Sequence, residues 1–109
     1  MEKYVLVVES NCSDPAREAE FNDWYDKVHI PDVLETPGFV RATRYVNNDP
    51  PAAGKGKFLA VYEIETDDIA RFLKANNENL AKKRAAGRFT ELLVIAGRGL
   101  YKQSSSKAR

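Results

Sequence analysis

The sequence is poor in the residues from which disulfides and metal centres are built. Its 109 residues include one cysteine, Cys12, and one histidine, His29. A single thiol cannot form a disulfide within the chain, and a transition-metal site needs more than one His or Cys ligand. We therefore expect no metal centre, and we expect Cys12 to be a bystander thiol in a loop.

The sequence also lacks an excess of either charge and lacks a long apolar run. Basic residues number 17 and acidic residues 16, so no strong electrostatic field would attract nucleic acid or an anionic membrane. No apolar stretch approaches the ~20 residues of a membrane-spanning helix. The first ten residues carry an acidic side chain and are strand-like, which is not typical of a signal peptide. These absences favour a cytoplasmic protein with one modest domain.

Segments typical of strands and of helices alternate along the chain. β-Branched and aromatic residues predict four strands, over 3–9, 39–46, 58–65 and 89–101. Apolar residues at helical spacing predict two helices, over 15–29 and 67–86. The order β-α-β-β-α-β is the ferredoxin-like arrangement, an α+β fold with a four-stranded antiparallel sheet and two helices on one face. Residues 1–101 form one domain in this interpretation, and the polar tail over 102–109 is predicted to be disordered.

Proline and glycine set the expected boundaries of these elements. Pro15 suits the first position of the first helix. Pro31 disfavours helical dihedral angles at the residue before it, which predicts that this helix ends just after His29 and that Pro31 can start one further turn over residues 31–35. Gly87 can close the second helix in the left-handed conformation. The segment over 47–57 is too long for a tight hairpin and is predicted to be a loop without the pattern of a phosphate-binding motif.

The first and last predicted strands are apolar on both of their faces. Residues 3–9 are apolar at both alternating sets of positions, and residues 92–95 are apolar without interruption. A strand with one solvated face would alternate apolar and polar residues. Two helices can cover only one face of the sheet, and a large exposed apolar face is rare on a soluble monomer. We therefore predict a homodimer in which two copies pack sheet against sheet.

The only tryptophan and the only histidine lie in the same predicted helix. One apolar stripe of this helix is formed by Phe21, Trp24, Tyr25 and Val28, and His29 lies at its edge. Imidazole exchanges a proton near neutral pH, so His29 can be a general acid/base. The end of a helix would favour its charged form and burial its neutral form. The other interpretation of His29 is a structural residue that packs at the helix boundary.

Further side chains could line a small-molecule pocket. Asn76 falls in the middle of the apolar stripe of the second helix, where an unpaired amide costs a few kcal/mol. It must therefore bond to the backbone or face a cavity. Trp24 and Tyr25 are expected in the core or in the wall of a pocket, where a tyrosine hydroxyl needs a partner. Tyr45 and Tyr62, on predicted strands, are additional candidates for contact with a substrate.

Three arginines also lie on predicted strands, namely Arg41, Arg44 and Arg98. Because side chains alternate along a strand, Arg41 shares one side with Tyr45 and Arg44 takes the other. Each arginine is expected at a solvated edge or in an ion pair across a dimer. Each could instead meet a carboxylate or phenolate of a ligand.

The motif Phe21-x-x-Trp24-Tyr25-x-x-x-His29-x-Pro31, followed by Pro37-Gly38-Phe39, resembles the signature of the EthD-like group. That group belongs to the dimeric α+β barrel superfamily. The resemblance implies a ferredoxin-like subunit that dimerises through its sheet, with a small-molecule pocket between sheet and helices. Relatives include cofactor-free oxygenases, polyketide cyclases, decarboxylases, isomerases, dehydratases and haem-binding enzymes, so the fold alone selects no reaction. In EthD-like proteins the histidine at the helix end is proposed to act, and it corresponds to His29.

These observations predict a small cofactor-independent enzyme that acts on an apolar or aromatic small molecule. His29 would be the general acid/base in a step of the lyase, dehydratase, decarboxylase or isomerase type. One alternative is a non-catalytic small-molecule-binding or accessory protein. Another is a haem-binding protein or oxygenase, in which the single histidine supplies one axial ligand.

Overall fold

Four antiparallel strands form the frame of the molecule. The computed structural model describes residues 1–49 and 55–109. The central strands are β1 (Glu2–Cys12) and β3 (Phe58–Thr66), and the edge strands are β2 (Phe39–Val46) and β4 (Leu93–Lys102). The strand order is β2-β3-β1-β4 and every pairing is antiparallel. This arrangement confirms the predicted ferredoxin-like α+β fold.

The strand boundaries agree with the prediction for β2 and differ for β1 and β4. β1 continues to Cys12, because a bulge after Glu9 keeps the strand paired with β4 beyond the point where the sequence becomes polar. β4 begins only at Leu93, because the residues before it form a turn. In that turn the Leu92 N–H donates to the Thr90 hydroxyl at 3.2 Å. Phe89 and its neighbours are therefore free to pack against the helices.

The first helical segment is continuous but changes its winding along the chain. It comprises a 3₁₀ turn (Pro15–Arg17), α1 (Glu18–Trp24), a π turn (Tyr25–His29) and α2 (Ile30–Val33). The prediction that the helix ends after His29 is wrong, since Ile30 keeps helical angles (φ −59°, ψ −49°) and Pro31 lies inside α2. The Ile30 N–H donates to the Tyr25 carbonyl, five residues back. This wider turn relieves the clash between a proline ring and the preceding carbonyls.

The second helix, α3 (Ile69–Ala85), is bounded by two local devices. Asp68 caps its beginning, and its carboxylate accepts from the Arg71 N–H at 3.0 Å, so the helix begins two residues later than predicted. Gly87 follows its end with φ +76°, the left-handed conformation that glycine adopts without strain. The last turn carries three basic residues, whose positive charges are attracted to the negative end of the helix dipole and stabilise the helix.

All helices pack on one face of the sheet, which we call the inner face. It carries Tyr4, Leu6 and Val8 of β1, which lie directly opposite Ile64, Tyr62 and Ala60 of β3. Phe21 of α1 is completely buried against this face, with its ring centre 5.5 Å from that of Phe58. Burial of one such aromatic side chain contributes about 1.5–3 kcal/mol. A second cluster, built around Phe72, attaches α3 to the other end of the sheet.

The opposite face of the sheet, which we call the outer face, is apolar at its centre and carries no helix among residues 1–49 and 55–109. Val7 of β1 lies opposite Val61 of β3, and Val5 lies opposite Tyr101 of β4. The Tyr101 side chain is 60% exposed. The two alternating apolar sets of β1 thus lie on two different faces, and the described helices cover the inner one.

We predict that two copies of the chain pack outer face against outer face. Val7→Lys places a charge at the centre of this surface, so the variant should be monomeric or insoluble. Ala75→Lys, on the exposed side of α3, is the matched control and should leave the assembly unchanged. Light scattering over a dilution series measures the mass of each variant. A wild-type monomer at micromolar concentration would contradict the prediction.

Two segments of the chain carry no helix or strand that the structure describes. Residues 103–109 follow β4 without regular structure, and their disorder stays a prediction. The middle of the predicted loop over 47–57 lies outside the described residues. Within the described ranges, the helices are all too short or too polar to cross a membrane.

Candidate functional site

A cavity of about 480 Å³ lies between the inner face of the sheet and the helices. Its apolar walls come from both layers and are formed by Leu6, Val8, Val33, Leu80, Phe89, Leu93 and Ile95. The polar groups that border it are Tyr25, His29, Tyr62, Asn76, Asn77, Arg84, Thr90, Glu91 and Arg98. A largely apolar cavity of this size, with polar groups that converge on it, is typical of a small-molecule site.

The imidazole of His29 is enclosed by aromatic rings. It stacks on Trp24, with ring centres 4.8 Å apart and planes inclined by 19°. The rings of Tyr25 and Phe89 meet it edge to face at 5.0 Å and 5.3 Å. His29 and Tyr25 are the two ends of the π turn, a winding that often occurs at functional sites. The imidazole is only 8% exposed, so its orientation at the cavity wall is fixed by packing.

Burial lowers the pKa of His29 to about 4. The carboxylate of Asp32 opposes this shift, and the guanidinium of Arg44 adds to it. The imidazole is therefore neutral near pH 7, with one ring nitrogen able to donate a hydrogen bond and the other able to accept one. This is the protonation state of a base.

An ion pair fixes the chain directly after His29. Asp32 is 5% exposed and accepts two hydrogen bonds from Arg88, at 2.6 Å from Nε and 3.1 Å from Nη2. The hydrogen bonds and charge of Arg88 hold the pKa of the Asp32 carboxyl below its usual range. The carbonyl of Arg88 also accepts from the indole N–H of Trp24 at 2.9 Å. Arg88 thus positions both the turn that follows His29 and the ring on which His29 stacks.

Two buried tyrosines border the cavity. Tyr25 and Tyr62 are 1% and 2% exposed. Burial raises the pKa of the Tyr25 phenol, while the neighbouring Tyr62 hydroxyl opposes the rise. Burial raises the pKa of Tyr62 far above its usual range, and proximity to Tyr25 adds to this shift. Both phenols are therefore neutral near pH 7 and able to donate a hydrogen bond.

Asn76 of α3 brings an unpaired amide to the cavity. The side chain is 4% exposed, and its Oδ1 atom is buried without a hydrogen-bond partner in the described part of the chain. A buried polar group without a partner costs about 1–3 kcal/mol. The Oδ1 atom is therefore available to accept a hydrogen bond from a ligand in the cavity.

Asn76→Leu is expected to bind ligand more weakly without a loss of stability. The leucine removes a polar group that is already unpaired, so the free energy of unfolding should stay the same or rise. Asn79→Leu is the control, because the Asn79 amide donates to the Asp32 carbonyl at 2.8 Å. The control should lose about 1–3 kcal/mol, measured by urea denaturation. A similar loss in Asn76→Leu would mean that the Asn76 amide is paired in the folded protein.

The structure brings four of the predicted site residues to one cavity, namely Tyr25, His29, Tyr62 and Asn76. Trp24 supports the imidazole from behind and is not part of the cavity wall among the described residues. Tyr45 lies on the outer face, opposite Leu59, and is 53% exposed. The sheet separates Tyr45 from the cavity, so it is not in position to contact a ligand there. Alternation along a strand defines two sides, but it does not say which of them the helices cover.

Asp32, Arg88 and Phe89 contribute to the site but are not among the residues predicted from the sequence. Asp32 gave a weak signal, because a carboxylate three residues after a histidine on a helix is its neighbour. Arg88 and Phe89 gave none, because they follow the glycine that ends α3, and the direction of the chain beyond such a residue depends on tertiary contacts.

Cys12 is the last residue of β1, so the prediction that it lies in a loop is wrong. It is half-buried, and its thiol donates to the carbonyl of Asp14 at 3.1 Å. Within residues 1–49 and 55–109, no group of three His, Cys, Asp or Glu side chains is arranged to hold a metal ion. The absence of a metal centre stays a prediction.

The fold and the cavity together define a ferredoxin-like α+β protein with a ligand-sized space between sheet and helices. The chain belongs to the family described as "Domain of unknown function (DUF4286)", whose model matches residues 3–103. No curated protein matches the chain by sequence.

Solved structures share this fold over nearly the whole chain. HapK from Hahella chejuensis is 17% identical with a TM-score of 0.70, over 97% of this chain and 98% of that one. The monooxygenase from the gene ActVA-Orf6 of Streptomyces coelicolor, in complex with nanaomycin D, is 15% identical with a TM-score of 0.61, over 99% and 93%. An EthD family protein from Bacillus halodurans C-125 is 17% identical with a TM-score of 0.53, over 91% and 97%. These matches confirm the resemblance to the EthD-like group at the level of the fold.

Other matching structures include a dimeric ferredoxin-like protein from an uncultured marine organism. They also include a MhuD mutant with two manganese protoporphyrin IX molecules bound per active site. At 9% and 13% identity, these likenesses concern the fold and do not transfer a reaction.

Proposed function

We propose that this protein is a small-molecule enzyme of the proton-transfer type, with His29 as the base and an oxygenated aromatic compound as the substrate. The observation that carries the proposal is a neutral, buried imidazole held by stacking at the wall of a cavity of about 480 Å³. Lyase, dehydratase, decarboxylase and isomerase reactions all contain a proton transfer of this kind.

The groups around His29 suit the removal of a proton next to a carbonyl. His29 takes the proton from carbon, and negative charge develops on the substrate oxygen. The neutral phenols of Tyr25 and Tyr62 and the amide of Asn76 are able to donate hydrogen bonds to that oxygen. With a pKa of about 4, His29 is a weak base in the empty cavity. A developing anion beside it favours the imidazolium form and so strengthens it as a base.

The fold neighbours agree with a small-molecule enzyme and suggest a second candidate. The ActVA-Orf6 protein is a monooxygenase solved with nanaomycin D. Oxygenation of a similar class of compound is therefore the runner-up, and removal of a proton by His29 would still be its first step. Binding without turnover, as in an accessory protein, is the third possibility.

Haem fits this cavity poorly. Arg84 and Arg98 would suit its carboxylates, and His29 is the one candidate for an axial ligand. However, three aromatic rings pack around the imidazole with centres 4.8 Å, 5.0 Å and 5.3 Å from its own, so a C–H group of a small molecule can approach its edge more easily than a flat macrocycle with iron at its centre. The unpaired amide of Asn76 would also lie against an apolar ring system. We expect that titration with haem gives no Soret shift that depends on His29.

Proton exchange in D₂O tests the proposal without knowledge of the natural substrate. The probe is β-tetralone, an aromatic ketone with acidic C–H groups beside its carbonyl. We expect the folded protein to accelerate replacement of these protons by deuterium, followed by NMR, whereas heat-denatured protein has no effect. Binding of β-tetralone without faster exchange would favour the accessory protein. The proposal would be contradicted if the protein neither bound β-tetralone nor accelerated its exchange.

A further inference from the structure

We propose that the cavity takes an anionic aromatic ligand, whose carboxylate or phenolate pairs with Arg98 on the inner face of β4. This inference deepens the proposed function, because it names the class of compound that the same cavity binds. It depends on the arginines around the cavity and not on the chemistry of His29.

Two arginines on the inner face have opposite surroundings. One row of side chains runs across the four strands through Arg98, Val8, Ala60 and Arg44. At one end, the charge of Arg44 is paired within the protein: Nη1 donates to the carboxylate of Asp26 at 3.0 Å and Nη2 donates to Asn22 at 2.9 Å. At the other end, Arg98 lines the cavity and has no carboxylate within ion-pair distance in the described part of the chain. Its guanidinium is therefore available to an external anion.

A second guanidinium increases the positive charge of the cavity. Arg84 lines it from the last turn of α3, where it lies 4.5 Å from the ring centre of Phe89. Arg84 also has no ion-pair partner among residues 1–49 and 55–109. Among those residues, Glu91 is the one carboxylate of the cavity wall, and it is paired with Arg17 at 3.3 Å. Within the described ranges, the cavity thus presents two arginines without an ion-pair partner and one carboxylate that is paired.

The space beside these cations is suited to an aromatic body. Val8 and Leu80 offer apolar contact from sheet and helix, and Phe89 offers an aromatic ring at the same wall. Arginine pairs with carboxylates through two parallel hydrogen bonds. Asn76 adds an unpaired amide for a second polar substituent. An aromatic acid with one further hydroxyl group, which can donate to the unpaired Asn76 Oδ1 atom, satisfies all three features.

Two probes of equal shape and different charge test the inference. Calorimetric titration compares β-naphthoate with β-naphthamide on the wild-type protein. A charged hydrogen bond of the usual strength predicts about tenfold tighter binding of the naphthoate. The preference should weaken at high salt, since Arg98 is exposed on its solvent side. Arg98→Gln should lose the preference, because naphthoate binding falls about tenfold while naphthamide binding stays.

Two control variants test whether the preference for naphthoate depends on the positive charge of Arg98. Arg98→Lys should retain part of the preference, whereas Arg41→Gln, on the outer face, should leave both affinities unchanged. Equal binding of the two probes, equal weakening of both by Arg98→Gln, or no binding of either probe would overturn the inference. His29→Gln should still bind naphthoate. A charge preference without proton exchange would therefore defeat the proposed function alone, and exchange without a charge preference would defeat this inference alone.

Discussion

His29→Gln is expected to lose nearly all proton exchange while it keeps its fold and its ligand. General acid/base groups contribute about 10²–10⁴-fold to a rate, and removal of the base should lower the exchange rate of β-tetralone by that factor. Glutamine retains one hydrogen bond but cannot exchange a proton near neutral pH. NMR in D₂O measures the exchange, and calorimetry with β-naphthoate measures whether the cavity still binds.

Asn77→Gln is the control for this variant, because Asn77 also borders the cavity but has no group that titrates near neutral pH. It should retain the exchange rate within a few-fold. Retained exchange in His29→Gln would make His29 a positioning residue, and the base would have to be sought elsewhere. Loss of both exchange and naphthoate binding would mean that the substitution damages the cavity, since Trp24, Tyr25 and Phe89 all pack on this ring.

Most of the fold could be predicted from patterns of residues that are close in sequence. The bounds of β2, residues 39–46, follow from a run of β-branched and aromatic residues between a Pro-Gly turn and a polar loop. The end of α3 follows from the only residue type that adopts a positive φ without strain, at Gly87. These features depend on residues close in sequence, so they can be predicted without knowledge of the tertiary structure.

The winding of the first helix could not be predicted in this way. The rule that a proline ends a helix assumes α geometry before it, and the π turn over Tyr25–His29 replaces that geometry. The turn is stabilised by the contacts of its two end residues with Trp24 and Phe89, of which Phe89 is distant in sequence. The side of the sheet on which Tyr45 lies was likewise decided by where the helices pack.

The position of His29 was predictable, but its protonation state was not. A histidine at the end of a helix would be drawn toward its charged form by the last carbonyls. In the structure the helix continues to Val33, so those carbonyls lie beyond His29. Burial among aromatic rings then has the larger effect, and the pKa falls to about 4. Because the helix was predicted to end at His29, the sequence left open whether the helix end or burial decides the protonation state of this residue.

The wild-type protein should lose stability as the pH falls from about 6.5 to about 4, and the imidazole of His29 should account for much of that loss. The ordinary pKa of histidine is 6.5, and in the folded protein it is about 4. Between these values the unfolded chain binds a proton that the folded protein does not. The free energy of unfolding therefore decreases with decreasing pH, by about 3 kcal/mol over the whole window. Below about pH 4 both states are protonated and this contribution levels off.

His29→Phe isolates this contribution, because it keeps an aromatic ring beside Trp24 and removes the titrating group. Urea denaturation at a series of pH values measures the free energy of unfolding of both proteins. As the pH falls through the upper part of the window, this free energy should decrease more steeply for the wild type than for the variant. The comparison concerns the slopes, since the substitution can change the absolute stability. The carboxylate of Asp32, whose pKa is lowered by Arg88, adds a loss at lower pH in both proteins, which the comparison removes. Parallel curves for the two proteins would show that the imidazole is as easily protonated in the fold as in water, and the base proposed here would then be charged, not neutral, under mildly acidic conditions.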